Sequence, residues 1–202
     1  MNVKLFNSGS IIAPLKCGTR QLERVFGEPD NMSTHVIKRK LSMEGVKTII
    51  VRPPDEHMKS ALHTEILSLV RSGNLKPDGK ELIDFVKSFL RLGSSHWDPD
   101  IYEYLYKFWN RNDYIEIVEL KNLSKFIKKL TKKKIVYEPN DWNFSSTQEK
   151  QYWISSNSLW NWVEQEFEDE VNDLIISKMS KEIDWYNKLI NKEKTIFTIK
   201  LI

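Results

Sequence analysis

The 202-residue sequence has little of several things, and each shortage removes a class of protein. There is one cysteine, Cys17, so no internal disulfide can staple the chain and nothing marks an oxidising compartment. Seven glycines and seven prolines are too few for a collagenous or low-complexity chain. No stretch approaches the ~18 to 20 consecutive apolar residues of a spanning helix. The opening MNVKLFNSGSIIAP has no long apolar core, so neither a signal peptide nor a membrane anchor is expected and the expected location is cytoplasmic. Four scattered histidines show no metal-ligand spacing. The net charge is only +3, which suits an anionic ligand but does not demand nucleic acid.

What is present suits one folded domain over 1-202. Apolar residues make up 40% and charged residues 29%, with seven Trp, seven Tyr and nine Phe to build a core. Residues 10–26, SIIAPLKCGTRQLERVF, read as a short strand, a compact turn and a helix. A strand that turns tightly into a helix leaves backbone N–H groups unpaired at the positive end of the helix dipole, which favours an anion. Lys16 adds a charge, Gly18 a permissive backbone and Thr19 a hydroxyl. Cys17, beside Lys16 at the helix start, is expected to be an acidic thiol. The loop is not a Walker A motif, because its lysine precedes Gly18 by two residues rather than following a second glycine.

Residues 47–70, KTIIVRPPDEHMKSALHTEILSLV, read as a β-branched strand ending in Arg52, a Pro-Pro break, and a helix with apolar positions at Met58, Leu62, Ile66 and Leu69. Arg52 at a strand end can grip a phosphate bidentately, and Ser60, eight residues on, can add a hydroxyl. His57 and His63 on this helix are expected on solvated faces. Strand–loop–helix repeated twice is the βαβ pattern of a parallel sheet, whose ligands sit at the carboxyl ends of the strands.

The remaining elements follow from pattern. Residues 2–7 suit an edge strand or an ordered tail, 11–14 a central strand and 27–31 a turn; 34–41 are open between a strand and an irregular crossing. Asp78 and Glu81 form a capping box for a helix ending at Gly93, Asp98-Pro99 opens another, and 114–118 is a strand. Asn122 or Ser124 caps a helix to Leu130, and 137–150 read as a long loop. Val163, Phe167, Val171, Leu174 and Ile175 mark a long amphipathic helix that can run to Leu189, while 195–202 have strand propensity.

The order Lys-x-Gly-Thr after a strand, with an Arg, a Pro and a Ser eight residues beyond the Arg, resembles the two phosphate motifs of sulfotransferases that use 3′-phosphoadenosine 5′-phosphosulfate (PAPS). Residues 95–106, SHWDPDIYEYLY, are similar to the His-Trp-x-Pro segment of the carbohydrate members of that family, of the chondroitin and heparan 2-O type. YIEIVEL at 114–120 and IDWYNKL at 183–189 resemble later elements of the same family in the same order. The resemblance implies an α/β, P-loop-like three-layer fold with a central, mainly parallel sheet flanked by helices. It implies sulfuryl transfer from PAPS to a hydroxyl or amine of a saccharide-like or small-molecule acceptor, leaving 3′-phosphoadenosine 5′-phosphate (PAP). By position, Lys16, Cys17, Gly18, Thr19, Arg20, Gln21, Arg52 and Ser60 would bind the cofactor, with Lys16 also catalytic. His35, Glu44 and His96 are the candidates for the base that takes the acceptor's proton. A P-loop phosphotransferase and a non-catalytic nucleotide- or nucleic-acid-binding module are the competing readings. The five lysines within 128–134 are most simply a solvated helix end, and Trp142, Trp153, Trp160 and Trp162 core aromatics.

Overall fold

A computed structural model describes residues 2–33, 45–73, 79–94, 96–112, 114–132, 161, 165 and 168–193. The strands are β1 (Asn2–Phe6), β2 (Ile11–Pro14), β3 (Asp30–Ser33), β4 (Thr48–Val51) and β5 (Glu116–Glu119). The helices are α1 (Thr19–Phe26), α2 (Pro54–Arg71), α3 (Gly79–Leu92), α4 (Ile101–Asn110), α5 (Leu123–Thr131) and α6 (Glu168–Ile190), with a 3₁₀ turn at Leu120–Asn122. His35, Glu44, Asp78, the crossing at 34–41, the loop at 137–150, the four tryptophans and the tail at 195–202 lie outside the described residues.

The five strands form one sheet in the order β3-β1-β2-β4-β5. β2, β4 and β5 pair in parallel, while β1 is antiparallel to both β2 and β3. β3 therefore runs in the same direction as β2, β4 and β5, and β1 alone is reversed. The expected parallel half is present, but the first strand is not at the edge: the segment read as a turn ends in β3, which covers β1 and takes the edge position.

Consecutive side chains of a strand point to opposite faces, and here both faces are apolar because both are covered. Ile12, Ile49 and Val51 pack with Ile101, Tyr102, Leu105, Phe108 and Leu189 under α4 and α6. Ile11, Ala13 and Ile50 pack on the other face with Leu22 of α1 and Leu123, Phe126 and Ile127 of α5. The result is a three-layer α/β fold. α2 and α3 add a further cluster of Met58, Leu62, Ile66, Val86, Phe89 and Trp97, in which Trp97 stacks on Phe89 with ring centroids 5.4 Å apart. Gly93 ends α3 with φ +71°, and a Cβ there would meet the Trp97 carbonyl oxygen at 2.8 Å, so this turn needs glycine.

Candidate functional site

The carboxyl ends of β2 and β4 lie side by side, since the two strands pair in parallel. From Pro14 the chain turns through Leu15, Lys16 and Cys17 to Gly18, which caps α1 in the left-handed conformation at φ 80°. Lys16 also has φ 68°, so two left-handed residues fold the turn tightly. Helical bonding begins where the Gln21 and Leu22 N–H groups donate to the Gly18 carbonyl. The N–H groups ahead of them point out of the helix end.

Arg52 leaves β4 and turns back across this loop: its Nη1 donates to the Lys16 carbonyl at 3.4 Å and its Nε to Glu56 at 3.2 Å. The two sequence motifs thus meet. Lys16 is half-buried, and its pKa is pressed down to about 8, first by burial and then by the positive charges of Arg20, Arg52 and Lys4, with Glu65 alone among the named neighbours pulling the other way. Lys4 itself reaches Glu23 of α1. Ser60 is half-buried on α2, one turn from Glu56 and on the same side as His63. The Gln21 side-chain nitrogen is buried with no partner among the described residues.

One expectation about the loop is corrected. Cys17 is fully buried among Phe6, Ile11, Leu22 and Ile50, and burial pushes its thiol up to about 12 instead of making it acidic. Its N–H donates to the Pro14 carbonyl at 3.0 Å, so neither group is offered to a ligand. Gly18 is required for packing: a Cβ there would lie 2.4 Å from Leu123 Cδ2 and 2.8 Å from Leu120 Cδ1. Its lack of a side chain thus also permits a close approach of the loop to the 3₁₀ turn and α5.

His57 is not on a solvated face. It has no exposed surface, with Nε2 2.7 Å from the Leu15 carbonyl oxygen and Nδ1 3.1 Å from the Tyr102 hydroxyl. That hydroxyl donates to the Arg52 carbonyl at 2.5 Å. Burial drives the imidazole down to about 4, and the charges of Arg52 and Lys16 act in the same direction. His63 is half-buried, its pKa lowered by burial and by Lys16. The sequence reading missed both.

His96 is brought to the same side of the molecule. Its Nδ1 lies 2.7 Å from Glu65 Oε1, and its N–H donates to Ser94 Oγ at 3.0 Å. Glu65, whose charge favours the Lys16 ammonium, is thus also the partner of His96. The loop bearing His96 is anchored by buried Trp97 and by the Ser94 N–H donating to the Trp97 carbonyl at 2.8 Å. At the carboxyl end of β5, Glu119 accepts from the Tyr186 hydroxyl at 2.8 Å and pairs with Lys121 at 3.0 Å. Among the described residues no cluster of three or more His, Cys, Asp or Glu could hold a metal ion. Nor is any helix among them long and apolar enough to cross a membrane.

No family model, curated protein or solved structure matches this chain.

Proposed function

We propose that this protein is a PAPS-dependent sulfotransferase built on a P-loop-like scaffold, acting on a hydroxyl or amine of a saccharide-like or small-molecule acceptor. The observation that carries the reading is the crowding of Lys16, Arg20 and Arg52 at the paired ends of β2 and β4, where burial and mutual repulsion hold Lys16 well below its ordinary pKa. Cations gathered against their own repulsion are stabilised when an anion arrives. The residues fit a ligand with two phosphate ends: the α1 N-terminus with Lys16 and the unspent Gln21 amide suits one, and Arg52 with Ser60 the other.

Bound there, PAPS supplies an activated sulfuryl group whose departure leaves negative charge on a phosphate oxygen. Lys16 would hold its ammonium against that charge, and its partial burial would strengthen the interaction relative to open water. His96 is the base candidate whose surroundings are defined. With Nδ1–H donating to Glu65, Nε2 is the ring atom that would take the acceptor's proton, and Glu65 would stabilise the imidazolium that forms.

Calorimetric titration with PAP, run beside ATP and with magnesium chelated, tests the reading. Selective binding that weakens by about 30- to 100-fold in Arg52→Ala is expected for loss of a charge-assisted phosphate contact. No binding of PAP, or binding unchanged in both Arg52→Ala and Lys16→Ala, would sink it.

A further inference from the structure

The buried chain from Leu15 through His57 and Tyr102 to Arg52 joins the two arms of the anion site and is short of one proton. Its ends are carbonyl oxygens, which only accept. Three links lie between them: Leu15 O to His57 Nε2, His57 Nδ1 to Tyr102 Oη, and Tyr102 Oη to Arg52 O. Each needs its own hydrogen. A neutral imidazole and one phenol bring two. The shortest links are the outer ones, at 2.7 and 2.5 Å, and the middle link is the longest at 3.1 Å. In the tautomer that the shorter outer links favour, the two protons are on Nε2 and Oη and the link between Nδ1 and Oη has none; in either tautomer one link stays unfilled.

We propose that His57 and Tyr102 are positioning residues that set the separation between the Lys16 loop and the Arg52 strand end, and that binding a bisphosphate anion there is accompanied by a proton moving onto His57 Nδ1. This rests on the anion-site reading above. The surroundings explain the coupling. Burial is the largest effect against an imidazolium, Arg52 at the end of β4 and Lys16 of the loop add to it, and the backbones of Leu15 and His96 favour the charged form. Cys17 in the loop is a neutral buried thiol, and Tyr102 of α4 keeps its proton. Beyond Tyr102 stand Tyr186 and Glu182 of α6, and Glu56 pairs with Arg52 from the same helix as His57. An anion that neutralises Lys16 and Arg52 removes the main charge opposing the imidazolium. The added proton then closes the middle link and draws the two arms onto the ligand.

Nitrogen-15 imidazole spectra at pH 6, with and without saturating PAP, read the proton directly. Lys16, with its pKa near 8, is already protonated there and adds nothing to the change. His57→Gln assigns the signal. In the free protein His57 is expected to carry one ring proton, and with PAP two. Tyr102→Phe removes only the hydroxyl; with an unchanged melting temperature it is expected to lose about tenfold in PAP affinity and the second ring proton. If that variant does not fold, His57→Gln serves for the affinity measurement with the same expected loss. A His57 that stays singly protonated under saturating PAP, or a variant that binds within about twofold of the parent, overturns the proposal and leaves the anion site standing. Failure of the unaltered protein to bind PAP overturns the site reading and this proposal with it.

Discussion

Lys16 gives the anion site a pH dependence that can be worked out in advance. In the free protein its pKa is about 8, against an ordinary value of 10.5. A phosphate bound beside it returns it toward or above that value, so binding brings a proton with it wherever free Lys16 is neutral. The Lys16 share of the affinity should be flat below pH 7 and fall as one plus ten to the power of pH minus 8, about 11-fold at pH 9 and about 30-fold at pH 9.5, on top of the fall at lower pH that proton uptake by His57 imposes. Lys16→Arg should remove this fall while keeping affinity at neutral pH, because a guanidinium does not titrate there. Stability moves in the opposite direction. The unfolded chain binds more protons than the native one between pH 8 and 10.5, so this residue's destabilising effect is full below pH 8 and fades as pH rises through that window. Lys16→Met should therefore raise the melting temperature at pH 7 while abolishing PAP binding. The shift in pKa sets a ceiling of about 3 kcal/mol, and solvent screening of a half-buried group cuts this to about half. Calorimetry from pH 6 to 9.5, beside thermal melts of the variants, provides both readouts. A flat affinity profile, or a Lys16→Met protein that melts lower than its parent, would refute the reasoning.

Three other outcomes follow from packing and burial. Gly18→Ala forces a left-handed residue and a contact of 2.4 Å with Leu123, so a loss of about 3 kcal/mol is expected in denaturant unfolding; a loss below about 1 kcal/mol would count against the packing role. Glu182, buried and accepting the Tyr102 N–H in the first turn of α4, has its pKa pushed up to about 8, chiefly by burial. The native state holds that proton between about pH 4.5 and 8 when the unfolded chain has released it, so stability should fall across this window by a few kcal/mol, and Glu182→Gln should flatten the curve. Cys17 should resist alkylation at pH 8 in the native protein and react fully once unfolded; rapid native labelling would contradict its burial.

The parts of the fold visible in the sequence were those with a local cause. The apolar period of Met58, Leu62 and Ile66, the Gly93 stop and the Asp98-Pro99 start each depend on a few adjacent residues, and each matches an observed element. β3 was missed because Asp30 and Asn31 are turn formers; its strand exists through pairing with β1, nearly thirty residues earlier in sequence. Lys16 and Arg52 could be paired in advance because parallel strands put their carboxyl ends together. The buried histidine was also partly legible, since His57 shares a helical face with Ala61, one turn on, beside the Met58 and Leu62 stripe. Its partner Tyr102 was not, because 45 residues separate them and nothing local to either side chain announces the contact.

Charge and packing at this site act against each other in a way that points to a ligand. Packing alone explains Cys17, Gly18 and Trp97, whose surroundings are apolar and tight. It does not explain Lys16, which could reach water from a surface turn yet is held half-buried where the charges of Arg20, Arg52 and Lys4 oppose its own and Glu65 alone favours it. Nor does it explain a buried relay with three links and two protons to fill them. An apolar residue at Lys16 would suit the free protein better, and a phenylalanine at 102 would shorten the relay at the cost of leaving the Arg52 carbonyl without that donor. Both features become favourable under one change, the arrival of negative charge between β2 and β4, which stabilises the ammonium and lets the imidazole take the proton that the relay lacks.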